Sequence, residues 1–245
     1  MNFSALLTTR HARLASGLVM FVYLTVHLLN HALGVFSLGL AQHALNGAML
    51  VWRNPVASFL LYGAAAVHFS LALWTLYSRR EWRLPWIEIL RLAAGFSFPV
   101  LLIGHAVTAR LGDALYDLHP SYESVIDNLL AAGTQGVQLA LLAPGWLHGC
   151  LGLWITLRHY ETMRRLKPLL IALVILIPLF AAAGFIHMAA AVIALGPPPP
   201  ASADVLAAQA ALGAWKDRIT DWYFGAIAAA LLLGRLRAFV LARSA

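Results

Sequence analysis

Ten histidines occur in the chain, and six of them, His27, His31, His68, His105, His148 and His187, lie inside long apolar stretches. Residues 16–37 show the pattern most plainly. The stretch carries no formal charge and places His27 and His31 four residues apart, one helical turn. A run of ~20 apolar residues has the length to cross a bilayer as a helix. A polar ionisable group at that depth is costly, so it is normally partnered and in use. Neutral imidazole is a metal ligand through one nitrogen and a hydrogen-bonding group through the other.

Depth sorts the six. His68 precedes Arg79 by 11 residues and His148 precedes Arg158 by 10. At ~1.5 Å per helical residue, these two sit at matching height near one face of the membrane. His105 precedes Arg110 by 5 residues, near the other face; His31 and His187 fall in that half, and His27 lies close to the middle. Two layers result, His68 with His148 and His105 with a partner. Paired imidazoles at one height on facing helices are what axial ligation of haem iron requires, and the expected cofactors are two b-type haems. Small residues close to the ligands (Gly63 to Ala66, Gly104, Gly149, Gly152 and Gly34) offer room, although they also serve helix packing.

Other chemistries fit less well. The bland alternative is that the histidines hydrogen-bond across helices. A metal-ion pathway would want carboxylates beside the imidazoles, yet no Asp or Glu lies in the middle of a span. The single cysteine, Cys150, excludes intrachain disulfides and cysteine-ligated clusters. It lies in an apolar helix, where a thiol is inert. His11, His43, His119 and His159 fall in loops or at helix ends.

The elements that hold these residues follow from composition. Of 245 residues, 61% are hydrophobic and 11% charged; a soluble domain carries roughly 25% charged residues. The expected fold is all-α, a single integral-membrane six-helix bundle with helices over about 14–38, 55–77, 85–109, 136–157, 168–195 and 219–241. Helices one to four would form the haem-binding core. The first run is too long for a signal peptide's apolar core. Residues 39–54 read as a loop lying partly on the membrane surface, residues 110–130 as a short amphipathic surface helix, and Pro197 to Pro200 as a stiff break. Pro99 should bend helix three. The sixth helix is short between Asp221 and Arg235, so Arg235 and Arg237 should snorkel. With both termini cytoplasmic, 13 of the 17 lysines and arginines fall on the inner side and 4 outside, which also accounts for the net charge of +7 without nucleic acid.

The motif Arg13-Leu14-Ala15-Ser16-Gly17 followed by His27-Leu28-Leu29-Asn30-His31-Ala32-Leu33-Gly34 resembles the membrane anchor of a group of bacterial class III adenylate cyclases. The likeness continues through Trp52-Arg53-Asn54-Pro55, Leu61-Tyr62-Gly63, Val67-His68-Phe69 with Leu73-Trp74, and Trp146-Leu147-His148-Gly149-Cys150, over about residues 13–185. These anchors in turn resemble the dihaem cytochrome b subunits of succinate dehydrogenase and fumarate reductase. The resemblance implies one ligand from each of the first four helices, pairing one with three and two with four. His68 and His148 would then hold the inner haem. His105 with His31 or His27 would hold the outer one, depth favouring His31 and spacing from Gly17 favouring His27; His31 is the expectation taken. The cytochrome b561 family suggests a different outer partner, His187.

The function implied is a quinone-responsive anchor in the bacterial inner membrane, regulating a cytoplasmic cyclase. The alternative is an electron-transfer subunit of a quinone-linked oxidoreductase, succinate-dehydrogenase-like or b561-like. Candidate quinone contacts are Arg13, Ser16, Tyr23, Asn30, Trp52 and Arg53, and Arg110 or Arg158 could meet propionates. The cyclases carry a ferredoxin-like and a cyclase domain after the anchor. The expectation is an isolated anchor or stand-alone relative, embedded in lipid, with a homodimer as a candidate assembly and no cyclase catalysis in these residues.

Overall fold

The computed structural model describes residues 3–243, and every regular element among them is helical. Six helices are long and apolar enough to cross a membrane. They are α1 (Phe3–Ala32), α3 (Pro55–Ser78), α4 (Trp86–Ala106), α7 (Gln135–Leu157), α9 (Lys167–Leu195) and α10 (Ala203–Arg243). The shorter helices are α2 (Leu38–Trp52), α5 (Gly112–Tyr116), α6 (Tyr122–Ala131) and α8 (Glu161–Arg165). The chain is thus a multi-pass, all-helical bundle. Its two faces are termed here the near end, where α1 starts, and the far end.

Local chemistry sets the boundaries. Ser37 caps α2 by accepting from the Leu40 N–H at 3.0 Å, and Asn54 caps α3 by accepting from the Val56 N–H at 3.0 Å, with Pro55 in the first turn. A proline there loses no hydrogen bond, and its ring pre-sets φ. α9 ends on Gly196, whose φ of +90° suits glycine.

Three sequence-based boundaries differ from the structure. Residues 38–52 form a capped helix rather than a loop. Polar Gln42 interrupts its apolar pattern because its Oε1 accepts from the Tyr122 N–H at 2.8 Å, tying α2 to α6. The expected single surface helix is two, because α4 runs on through a π-turn (Val107–Leu111) into α5, and the chain then reverses at Asp117, φ +54°. The sixth span begins near 203 rather than 219. At ~1.5 Å per residue its 41 residues make a helix of about 60 Å, twice a bilayer core. Its first turns extend along the far end, where Leu212 packs with Ile103, Val107 and Tyr223. Arg235 and Arg237 lie over the rings of Trp82 and Tyr77 at 5.6 and 5.2 Å. The basic heads thus rest on aromatic faces at the near end.

Packing between spans uses small residues, as expected where lipid removes the hydrophobic drive for helix association. α1 packs on α3 and α9, α4 on α7, and α10 on α3. At Gly184 the backbone of α9 lies against that of His31, and at Gly234 that of α10 lies against Tyr77. Pro178 in α9 cannot supply the N–H that would bond Val174; that free carbonyl instead accepts from Trp146 Nε1 at 2.9 Å, joining α9 to α7.

Candidate functional site

Two helix pairs, α1 with α3 and α4 with α7, frame the site, and α3 is not closely packed on α7 among the described residues. Imidazoles bridge the gap. His68 on α3 and His148 on α7 stand with ring centres 6.0 Å apart and planes at 86°. An ion held by two imidazole nitrogens at about 2 Å each would place the ring centres roughly 6 Å apart.

Hydrogen bonds set the tautomers of this pair. His148 Nδ1 lies 2.9 Å from the Arg91 carbonyl, which can only accept, so Nδ1 carries the proton. His68 Nδ1 lies 3.2 Å from Ser16 Oγ, whose own proton goes to the Ala12 carbonyl at 2.7 Å, so Ser16 accepts from His68. Each Nε2 therefore keeps its lone pair and has no hydrogen-bond partner among the described residues. A second partner that fixes tautomer and ring orientation is the usual surrounding of a metal-ligating histidine. Glycines seat both rings: a Cβ on Gly95 would come within 2.6 Å of His148 Nδ1 and Cε1, and one on Gly17 within 3.3 Å of His68 Cε1.

The far layer gathers three histidines. His27 on α1 faces His105 on α4, with ring centres 5.8 Å apart and planes at 64°. His31, one turn on, places its Nε2 3.2 Å from His27 Nε2. His31 is 6% exposed and its Nδ1 has no partner; Asn30, 5% exposed, likewise has an unpartnered Oδ1. Tyr23 stacks on His27 with ring centres 5.8 Å apart. Gln138 from α7 is buried beside His31. His187 stands apart: it is exposed, on the side of α9 away from this cluster, and its Nδ1 donates to the Gly34 carbonyl at 2.8 Å. Ser16 and His27 are 11 residues apart on α1. The layers are therefore about 16 Å apart along that helix.

The remaining sequence candidates divide between the two ends. At the near end, Arg13 donates to Thr75 Oγ1 at 2.8 Å and to the Leu71 carbonyl at 3.3 Å. At the far end, Trp52 meets Tyr23 edge-on at 5.1 Å, Arg53 pairs with Asp113 at 3.0 Å, and Arg110 donates to Tyr62 Oη at 2.7 Å. Asn30 Nδ2 donates to Tyr122 Oη at 3.0 Å. Burial raises the pKa of this tyrosine, so the hydroxyl stays neutral. Arg158 is exposed.

Sequence does not reveal that Gly17, Gly95 and the Arg91 carbonyl seat the imidazoles, because each lies on a helix other than the ligand's own. The small residues adjacent to the ligands face elsewhere. A Cβ added at Gly63 or Gly152 would meet nothing within 4 Å, and Gly149 accommodates Phe21.

Among the described residues no group of three or more His, Cys, Asp or Glu side chains could hold a bare metal ion. Two axial nitrogens per site are what a macrocycle that supplies its own four donors leaves to the protein, so the donor set fits haem. Comparison of the chain with protein-family profiles, curated proteins and solved structures finds no match.

Proposed function

We propose that the chain is a dihaem b-type cytochrome domain in which His68 and His148 hold one haem and His27 and His105 the other. The observation that carries this reading is the near pair: two imidazoles across a helix gap, ring centres 6.0 Å apart, each with Nδ1 anchored and Nε2 free. The assignment of His27 over His31 in the far pair rests on its facing His105.

Haem bound in this way supplies reversible one-electron chemistry at iron, tuned by axial ligand, hydrogen bonding and burial. The chain's own part is to orient and insulate. Ser16 and the Arg91 carbonyl hold the near imidazoles in the ligating tautomer, and an Nδ1–H bonded to an oxygen makes the opposite nitrogen a better donor. Arg13 stands beside this layer and Arg110 on the far side, as cations suited to carboxylate side groups, whereas the Arg91 guanidinium is taken up by Glu88. Placed ~16 Å apart along α1, the two layers would divide the bilayer into steps for an electron.

The resemblance to cyclase anchors extends the proposal. Exchange with membrane quinone would set the oxidation state, with the paired rings of Tyr23 and Trp52 as the far-side contact, and the state would bias a cytoplasmic partner, a cyclase or ferredoxin-like domain. Such a switch operates only if the partner binds the two states with different affinity.

Visible spectra of the oxidised and dithionite-reduced protein in detergent, with a pyridine haemochrome assay, test the reading. A reduced b-type α-band with about two haems per chain is expected. Absence of a Soret band after expression with ample haem would overturn it.

A further inference from the structure

At the near end, between the start of α1 and the end of α7, lies a pocket of about 290 Å³. That volume is at the small end of ligand sites, enough for a headgroup-sized molecule. Arg10 and His11 on α1 and His159 just after α7 supply its basic wall, while Leu14 and Leu157 supply an apolar one. No carboxylate lines it. The nearest acid in sequence, Glu161, is held by Arg164 and Arg165, the second at 3.1 Å. Neither Arg10 nor His11 makes an ion pair among the described residues, whereas Arg79 and Arg91 at the same end share Glu88 at 3.5 and 2.8 Å.

Depth identifies the ligand class. The uncharged run of α1 begins at Leu14, after Arg10, His11 and Arg13, and that of α7 ends at Leu157, before Arg158 and His159, so the pocket straddles the boundary between hydrocarbon-facing and charged chain. Its basic wall lies on the polar side of that boundary, and Leu14 lies on the apolar side. Clustered basic side chains at such a boundary attract anionic headgroups. A soluble phosphate would use the basic wall and leave the leucines wet; a lipid uses both.

We infer that this pocket is a specific site for one anionic phospholipid, its phosphodiester held by Arg10, His11 and His159 and its acyl chains lying along Leu14 and Leu157. The inference is independent of the haem reading, since none of these residues contacts the imidazole layers. It gives the near end a lipid wedged between the first and fourth spans, where the two helix pairs that frame the site meet.

The test is native mass spectrometry of the full chain, delipidated in neutral detergent and titrated with phosphatidylglycerol or with phosphatidylcholine of the same acyl chains. One phosphatidylglycerol should be retained under activation that strips phosphatidylcholine. Arg10→Gln and His159→Gln should each weaken retention, Arg10→Gln by about fivefold, whereas Arg10→Lys and the remote Arg243→Gln should retain it. Equal retention of the two lipids, or unchanged retention in Arg10→Gln with His159→Gln, would overturn the inference. Displacement of the lipid by equimolar inorganic phosphate would assign the pocket to free phosphate and overturn it equally. The contrast between the two lipids is read on the unaltered protein, so a variant that misfolds does not remove the test.

Discussion

The near and far histidine layers are built on opposite principles. In the near layer each imidazole is finished before any ligand arrives: His68 is tied to Ser16 and His148 to the Arg91 carbonyl, and a glycine lies against each ring. In the far layer His27 is hydrogen-bonded not to an orienting oxygen but to a second imidazole, His31, and two buried polar atoms, His31 Nδ1 and Asn30 Oδ1, lack partners. A buried polar group without a partner costs roughly 1–3 kcal/mol. The near layer is therefore a pre-organised site and the far layer one held in a less settled arrangement. Two layers of similar ligands can thus differ in occupancy and potential without differing in ligand type.

The comparison breaks most sharply on the ligands themselves. On the proposed dihaem reading, His148→Ala should remove the near haem whole, lowering the haemochrome assay from about two haems per chain to one while the far signal persists. His187→Ala, altering an exposed ring on the outer face of α9, should leave both. The far layer is then sharpened by comparing His27→Ala with His31→Ala. The first should lose the far haem; the second should keep it with a shifted spectrum, because His31 would be a neighbour of the ligand. Loss of haem in His31→Ala with retention in His27→Ala would exchange their roles.

A step below this lies the seat of the near layer. Gly95→Ala brings a methyl within 2.6 Å of His148 and must displace the ring, since Gly95 is on a different helix that cannot rotate away. Overpacking of this kind costs about 1–3 kcal/mol. The expected outcome is a near haem that is partly lost during purification, read from the same assay. Gly63→Ala, with nothing within 4 Å, should change neither layer.

These two glycines also show where sequence is informative. Histidine depth can be counted along each apolar span because rise per residue is fixed and flanking arginines mark the membrane edge, so His68 and His148 match in height from spacing alone. Span boundaries expected at 55, 136 and 168 lie within a residue of those in the structure because caps, prolines and charges are local. What lies out of reach is rotation. Height along a helix says nothing of which face a residue occupies, so depth favours His31 as the partner of His105, whereas in the structure it is His27 that faces His105 and His187 is exposed. The same holds for Gly95, whose role depends on a ring from another helix. The first turns of α10 escape a sequence reading for a different reason: the charges from Lys216 to Asp221 put the expected start near 219, but they lie on a helix that continues past the bilayer.

The smallest expected effect tests whether the unsettled far layer is a property of its polar surroundings. Tyr122 sits in α6, outside the spans, and its hydroxyl accepts from Asn30 Nδ2 at 3.0 Å while its ring lies 5.4 Å from His31. Burial keeps that hydroxyl protonated, so the contact is insensitive to pH across the physiological range. Tyr122→Phe keeps the ring and removes the acceptor, leaving Asn30 with both ends of its amide unsatisfied, at a cost of about 1 kcal/mol. Haem content should stay unchanged and the near signal should be unmoved, while the far haem's potential shifts in a redox titration. A shift of both potentials together would mean that the two layers are coupled through α1 and that the contrast between them is one of degree.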